Sequence, residues 1–175
     1  MNVPEIHQKL TERFGAAAIT QLKTETRDPW IEVAPQSVHA VCKFLHDDPE
    51  LAFDALNDLC GVDYLETDAK KKNPVEPHLE IVYHLYSYAK KHWLKVKVRL
   101  PRWQNDAAGQ IPEVDSVSDI WLIADWHERE AYDLVGVNFR GHPNLKRILC
   151  PEDWTGHPLR KDYEFPLEYH GVRGR

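Results

Sequence analysis

The sequence predicts an α+β fold of two layers: helices packed on one face of a mixed, mostly antiparallel sheet, with an extended C-terminal tail. Three observations predict it. Apolar residues recur at helical spacing in the first sixty residues and again over 120–135. Two long stretches between His78 and Leu100 alternate apolar with polar residues, as strands do when one face is packed and the other is wet. The resulting order, α-β-β-α-α-β-β-β-α-tail, groups strands together, which suits helices layered on one side of a sheet.

The elements follow in order. Pro4–Phe14 reads as a short helix, with Ile6, Leu10 and Phe14 four residues apart and Gly15 as its stop. Residues 16–23 and 30–34 read as strands around the polar turn 24–29. Val38, Val41, Cys42 and Leu45 repeat at i, i+3, i+4 and i+7, entered after Pro35 and ended before Pro49, which is one face of a helix. Ala52, Ala55, Leu56 and Leu59 repeat that spacing and predict a further helix closed by Gly61. Three strands are expected next. Val62–Glu66 is short. His78–Tyr88 puts Leu79, Ile81, Tyr83 and Leu85 on one face. Trp93–Leu100 sets Leu94, Val96, Val98 and Leu100 against Lys95, Lys97 and Arg99, with 89–92 as the hairpin turn. The run 69–77 reads as an exposed loop. Residues 101–114 read as a Pro- and Gly-containing loop, with Ser116 or Ser118 placed to cap the next helix.

At 175 residues the chain fits one domain. We divide it into an α/β body over 1–114 and a helix with its tail over 115–175. A chain of this size buries roughly 70% of its unfolded surface, enough for a core without staples. No apolar run approaches the ~18 residues of a membrane helix. The N-terminus lacks the basic-then-apolar pattern of a secretory signal. Three widely spaced cysteines, Cys42, Cys60 and Cys150, point to free thiols in a reducing compartment. A net charge of -6 argues against nucleic-acid binding. The C-terminal end is nevertheless basic: residues 140–175 hold seven Lys or Arg against five Asp or Glu, leaving 15 against 23 elsewhere.

The most informative stretch runs from Glu128 to Tyr163, where charges of both signs, turn formers and large apolar residues are closely mixed. Burying its apolar residues draws charged neighbours into half-dry surroundings, where they must be paired. On a helical wheel of 120–135, Ile120, Ile123, Ala124, Ala131, Leu134 and Val135 converge with His127. Asp125, Arg129 and Asp133 lie opposite at i, i+4 spacings that favour ion pairs. Glu128 and Glu130 fall on the shoulders and call for a fixed cation, with Arg140, Lys146, Arg147, Arg160 and Lys161 as candidates. The helix starts at Ile120 or, after a separate turn, near Ala124. Trp154, an aromatic among arginines, is read as an interface residue.

Paired carboxylates also serve general acid–base catalysis, yet no nucleophile motif or phosphate-binding loop accompanies these. H-E-R-E-A (127–131) fails the H-E-x-x-H zinc pattern because Ala131 stands at the second ligand position. His142, Cys150 and His157 fit no common metal spacing. A stand-alone metal-dependent hydrolase using His127, Glu128, His142 and His157 is the rival reading from another class; a generic adaptor domain is a third. Stoichiometric zinc in the purified chain would favour the former.

These residues resemble the signature of a known family. Glu128, Arg129 and Glu130, then Asp133, Leu134 and Val135, then His142, then Lys146 and Arg147 reproduce its spacing. The continuation R-I-L-x-P-E-D-W-x-G-H-P-L-R-K-D-Y, with Trp154, His157, Arg160 and Lys161, extends the match. The chain resembles the C-subunit family of NADH–quinone oxidoreductase, respiratory complex I. The match is dense over about 115–166, and D-L-C-G-V-D-Y (58–64) agrees with it.

The resemblance implies a core member of the hydrophilic arm that carries no flavin, cluster or metal and has no catalytic residues of its own. It implies docking on three other complex I components, the quinone-site D-subunit and the cluster-bearing B- and I-subunits. The complex would use NADH, FMN, iron–sulfur clusters and quinone in a respiratory electron-transport chain, as a translocase. The chain would lie peripherally on the cytoplasmic side of the cell inner membrane. By the same resemblance the signature helix and Gly-His-Pro tail are the docking and structural region. Reversing the charge of Arg147 or Arg160 is then expected to weaken assembly and spare the isolated fold. The neighbouring possibility is the equivalent component of a membrane-bound hydrogenase, an F420H2 dehydrogenase or a ferredoxin-dependent complex. Cys150 departs from the family's usual Met or other apolar residue, and the tail is short and not fused to the D-subunit.

Overall fold

The computed structural model describes residues 1–68, 70–71 and 75–174. Residues 69 and 72–74 of the expected 69–77 loop lie outside them. Helix α1 (Val3–Phe14) starts from a capping box: the Glu5 amide donates to Asn2 Oδ1 at 2.9 Å and the Asn2 amide donates to Glu5 Oε2 at 2.9 Å. Strands β1 (Ile19–Lys23) and β2 (Trp30–Val33) pair antiparallel. A short 3-10 turn at Pro35–Ser37 leads into α2 (Val38–Asp47), which buries Val38, Val41, Cys42 and Leu45 as the spacing predicts.

The further helix expected over 52–59 is a strand, β3 (Ala55–Asp63). Ala52 stands at φ 44, outside the helical region. A register shift between Leu56 and Asp58 inserts an extra residue opposite β4 (Leu79–Ser87). Leu56 and Leu59 therefore both turn inward although they are three apart. A β-bulge produced the spacing that reads as helical. β4 and β5 (His92–Leu100) form the expected hairpin, with Leu79, Ile81, Tyr83 and Leu85 facing Leu94, Val96, Val98 and Leu100 in the core.

The five strands run in the order β1-β2-β5-β4-β3, antiparallel except for the β2–β5 pair. The α+β two-layer architecture is as the sequence predicts. A small parallel pair, β6 (Glu113–Asp115) with β7 (Asn138–Arg140), starts inside the expected 101–114 loop and buries Val114 against Phe139. Helix α3 (Ala124–Leu134) starts late, at the second of the two positions allowed by the sequence. Neither Ser116 nor Ser118 caps it. Gly61 of β3 would set a Cβ 3.0 Å from Val135, so α3 approaches the sheet more closely there than a side chain allows. Trp121 fixes the approach to α3, its Nε1–H donating to the Phe53 carbonyl at 3.0 Å.

A clamp around the end of helix α3

The last four carbonyls of an α-helix lack partners within it. In α3 the Val135 and Gly136 amides take the Ala131 and Tyr132 carbonyls, and the chain's own tail supplies partners for the rest. Arg147 donates to the Asp133 carbonyl at 3.0 Å, and His157 Nδ1–H donates to the same oxygen at 3.0 Å. The Leu159 amide reaches Leu134 O at 2.8 Å. Arg160 covers the next two carbonyls, Nε–H to Val135 at 2.8 Å and Nη2–H to Gly136 at 3.1 Å. Two cations at a helix C-terminus also oppose the negative end of its dipole.

Asp133 is the pivot. Its carboxylate pairs with Arg147 at 2.6 Å and accepts the amides of Ile148, Leu149 and Cys150 at 3.0, 2.7 and 2.8 Å. Burial pushes its pKa up, but these donors outweigh burial and hold the carboxyl below its ordinary value. One side chain so binds the loop after β7 to the helix end. Arg160 also donates to Arg102 O at 2.8 Å and lies 3.7 Å over the Trp103 ring. Burial, then the nearby Arg102, lower its pKa to about 10, so the guanidinium stays charged at neutral pH.

Glu128 has a different environment from the one expected. It is fully buried, and among the described residues no lysine or arginine pairs with it. Ser116 Oγ–H donates to it at 2.6 Å and the Val117 amide at 2.7 Å. Burial raises its pKa to about 7 despite those two donors. His142 Nε2 lies 4.0 Å away but donates to the Asp125 carbonyl at 3.1 Å, while its Nδ1 accepts the Asn144 amide.

The other predicted residues divide. Arg129 is buried, donating to Lys146 O at 3.2 Å and lying 3.9 Å from Asp125, the one rung of the expected i, i+4 ladder that forms among the described residues. Trp154 is half-buried and packs 5.0 Å from Tyr169, with its Nε1–H unpartnered among the described residues. Glu130, Lys146 and Lys161 are exposed. Ile123, expected on the packed face, is 47% exposed and next to Leu122 at 87%. Arg140 pairs with Asp115 rather than with a helix glutamate. Because Arg147 and Arg160 cap the helix from within, reversing either charge acts first on the fold itself.

Sequence reasoning missed a triad that locks the tail to the sheet. Arg102 forks onto Asp63 at 2.9 and 2.8 Å and onto Asp162 at 3.1 and 2.7 Å, and Asp63 also accepts the Lys161 amide at 3.0 Å. Asp63 and Asp162 are almost a hundred residues apart, so no local spacing reports the pair. The signal available was an aspartate, Asp63, closing the run 59–62 at the end of β3.

A family model described as respiratory-chain NADH dehydrogenase, 30 Kd subunit, matches residues 31–169. The NADH-quinone oxidoreductase C-subunit of Roseiflexus castenholzii is 46% identical over 138 residues, covering 79% of this chain and 71% of that protein. The C-subunit of Chlorobium phaeobacteroides is 44% identical over 164 residues, covering 93% and 89%. Among solved structures, a chain of the membrane-bound sulfane sulfur reductase, an archaeal respiratory membrane complex, superposes with a TM-score of 0.66 at 23% identity. It covers 92% of this chain and 85% of its own, a likeness of fold.

Proposed function

The chain belongs to the family of the 30 Kd subunit of respiratory-chain NADH dehydrogenase, and we propose that it acts as the C-subunit of a proton-translocating NADH–quinone oxidoreductase. In this reading it is a core component of the hydrophilic arm, on the cytoplasmic side, and reaches the membrane only through the complex. Among the described residues no helix is long and apolar enough to cross a membrane. The chain carries no redox group. It holds the quinone-site D-subunit and the cluster-bearing B- and I-subunits in register, so that electrons from NADH pass through FMN and iron–sulfur clusters to quinone at fixed separations.

One observation carries this reading: four of the signature charges, Glu128, Asp133, Arg147 and Arg160, are spent inside the chain's own frame. Asp133, Arg147 and Arg160 close the end of α3, and Glu128 fastens its start. Such an arrangement makes a rigid frame that serves positioning rather than chemistry. Apolar side chains outside the frame support a partner-facing role: Leu122, Trp126, Leu159, Phe165 and Leu167 are 56% exposed or more. Phe165 and Leu167 border a groove of about 770 Å³ that also involves Trp154 and Tyr169.

Trp126→Asp and Leu167→Asp test the reading. Each is expected to keep the circular dichroism and unfolding midpoint of the isolated chain. Each is expected to cut co-purification with the iron–sulfur subunits about tenfold, the effect of ~1.4 kcal/mol. Undiminished co-purification of both variants at equal expression would rule out docking through these faces.

A further inference from the structure

The face of the sheet turned away from the helices gathers three metal-type donors that the clamp does not use. Asp58 of β3 stands directly opposite His84 of β4, and Cys60, two residues along, projects to the same side. A carboxylate oxygen, a thiol sulfur and an imidazole nitrogen from the three all lie within 4.8 Å of one another. We propose that Asp58, Cys60 and His84 form a zinc-type cation site that ties β3 to β4 across the open face of the sheet. The proposal does not depend on docking to any partner, and because its donors include none of His127, Glu128, His142 and His157, zinc held here lends nothing to the hydrolase reading.

The donor set fits such an ion. A tetrahedral ion with bonds of about 2.0–2.3 Å sets its donors roughly 3.3–3.8 Å apart, and the three donor atoms already lie within 4.8 Å of one another. Thiolate with imidazole selects a borderline ion such as zinc over calcium or magnesium, which prefer oxygen alone. Among the described residues none of the three side chains is engaged in a hydrogen bond or ion pair. The cations beside them are already matched: Lys95, opposite His84, holds Asp28 at 2.8 Å, and Lys97 holds Glu80 at 2.7 Å. The negative charge of Asp58 is left without a partner of its own. Asp58 is exposed and Cys60 and His84 are half-buried, leaving a fourth position for water. The site also fits the strand, since the β3 bulge lies between Leu56 and Asp58, where lost ladder bonds weaken the pairing with β4.

The full chain, stripped with a chelator, should be titrated with zinc by calorimetry and with cobalt by absorption. About one equivalent of zinc is expected to bind and raise the unfolding temperature. Cobalt should produce a thiolate charge-transfer band that Cys150→Ser keeps and Cys60→Ser abolishes. His84→Gln should weaken zinc at least about tenfold, since losing a direct ligand exceeds the roughly 10–100-fold cost of losing an outer-shell partner. All three positions are surface-facing, and circular dichroism confirms that each variant is folded. No zinc uptake, or uptake equal in the wild type and in both Cys60→Ser and His84→Gln, overturns the site.

Discussion

Glu128 is a carboxyl with no exposed surface, held by one hydroxyl and one amide, and its surroundings give it a measurable pH signature. Facing it are Ser116, Val117 and Asp119 from the segment before α3, Asp125 from the helix itself, and His142 from the loop after β7. Cys42 of α2 and Tyr83 of β4 approach from the sheet side. Its pKa rises from an ordinary 4.5 to about 7 on folding, with burial as the leading cause. The folded state therefore keeps a proton that the unfolded chain has already lost. The associated stability is complete below pH 4.5 and disappears as pH rises through about 7, a change of roughly 3 kcal/mol. Asp133 works in the opposite sense, since its lowered pKa contributes stability above 3.8 that is lost in acid. The urea midpoint should fall between pH 5 and pH 8 in the wild type. In Glu128→Gln, whose amide still accepts from Val117 and donates to Ser116, that fall should be lost, leaving the rise with pH that the lowered pKa values of His84 and His157 impose. An equal slope in both proteins refutes the assignment. The sequence revealed Glu128 as a buried-shoulder carboxylate but suggested a cation as its partner, because a hydroxyl twelve residues upstream gives no periodic sign of itself.

The end of α3 depends on backbone geometry as much as on side chains. Gly136 follows the helix at φ +77, and a Cβ there would collide with the His157 ring. Gly136→Ala should destabilise the chain by about 1–2 kcal/mol through left-handed backbone strain alone. Displacing His157 from the Asp133 carbonyl should add to that loss. A double-mutant cycle with His157→Ala separates the two: relief of the collision makes the pair less damaging than the sum of the single changes. Strict additivity in thermal unfolding would show that the ring is not what the glycine accommodates. Two other elements show why local pattern is an incomplete guide. In β3 a bulge imitates helical spacing through Leu56 and Leu59. In α3 the charged face at Arg129 and Asp133 looks wet on a helical wheel, yet it is buried because residues 146–160 fold back over it. The alternating strand β5 carries its burial in its own sequence, whereas β4 also buries Glu80 and Val82 on its other face.

Across the whole molecule the C-terminal region separates into an inner layer that completes the fold and an outer hairpin that adds little to it. Residues 141–163 supply the caps of α3, three amides for Asp133 and the Asp162 arm of the Arg102 fork. Beyond them, β8 (Glu168–Tyr169) pairs with β9 (Val172–Arg173), and the hairpin is pinned by Asp153 to Tyr169 and His170 at 2.7 Å each. These last bonds are exposed, and Phe165, Leu167 and Val172 are 68–80% open to solvent. Fold class, helix faces and the signature were readable because they are local or carried by family likeness. The return of the inner layer was not, since its partners lie 14 to 98 residues away. A chain ending at Tyr163 should unfold within about 2 °C of the full chain, because exposed contacts of this kind contribute only ~0.5 kcal/mol each way. A chain ending at Arg140 leaves the carbonyls of Asp133, Leu134, Val135 and Gly136 and the buried Asp133 carboxylate without their tail donors, at roughly 1–3 kcal/mol for each buried group, and should lose cooperative unfolding altogether. If instead the shorter deletion abolished folding, the hairpin would belong to the frame. Its exposed apolar residues would then be structural, and the case for a partner covering them would fail with it.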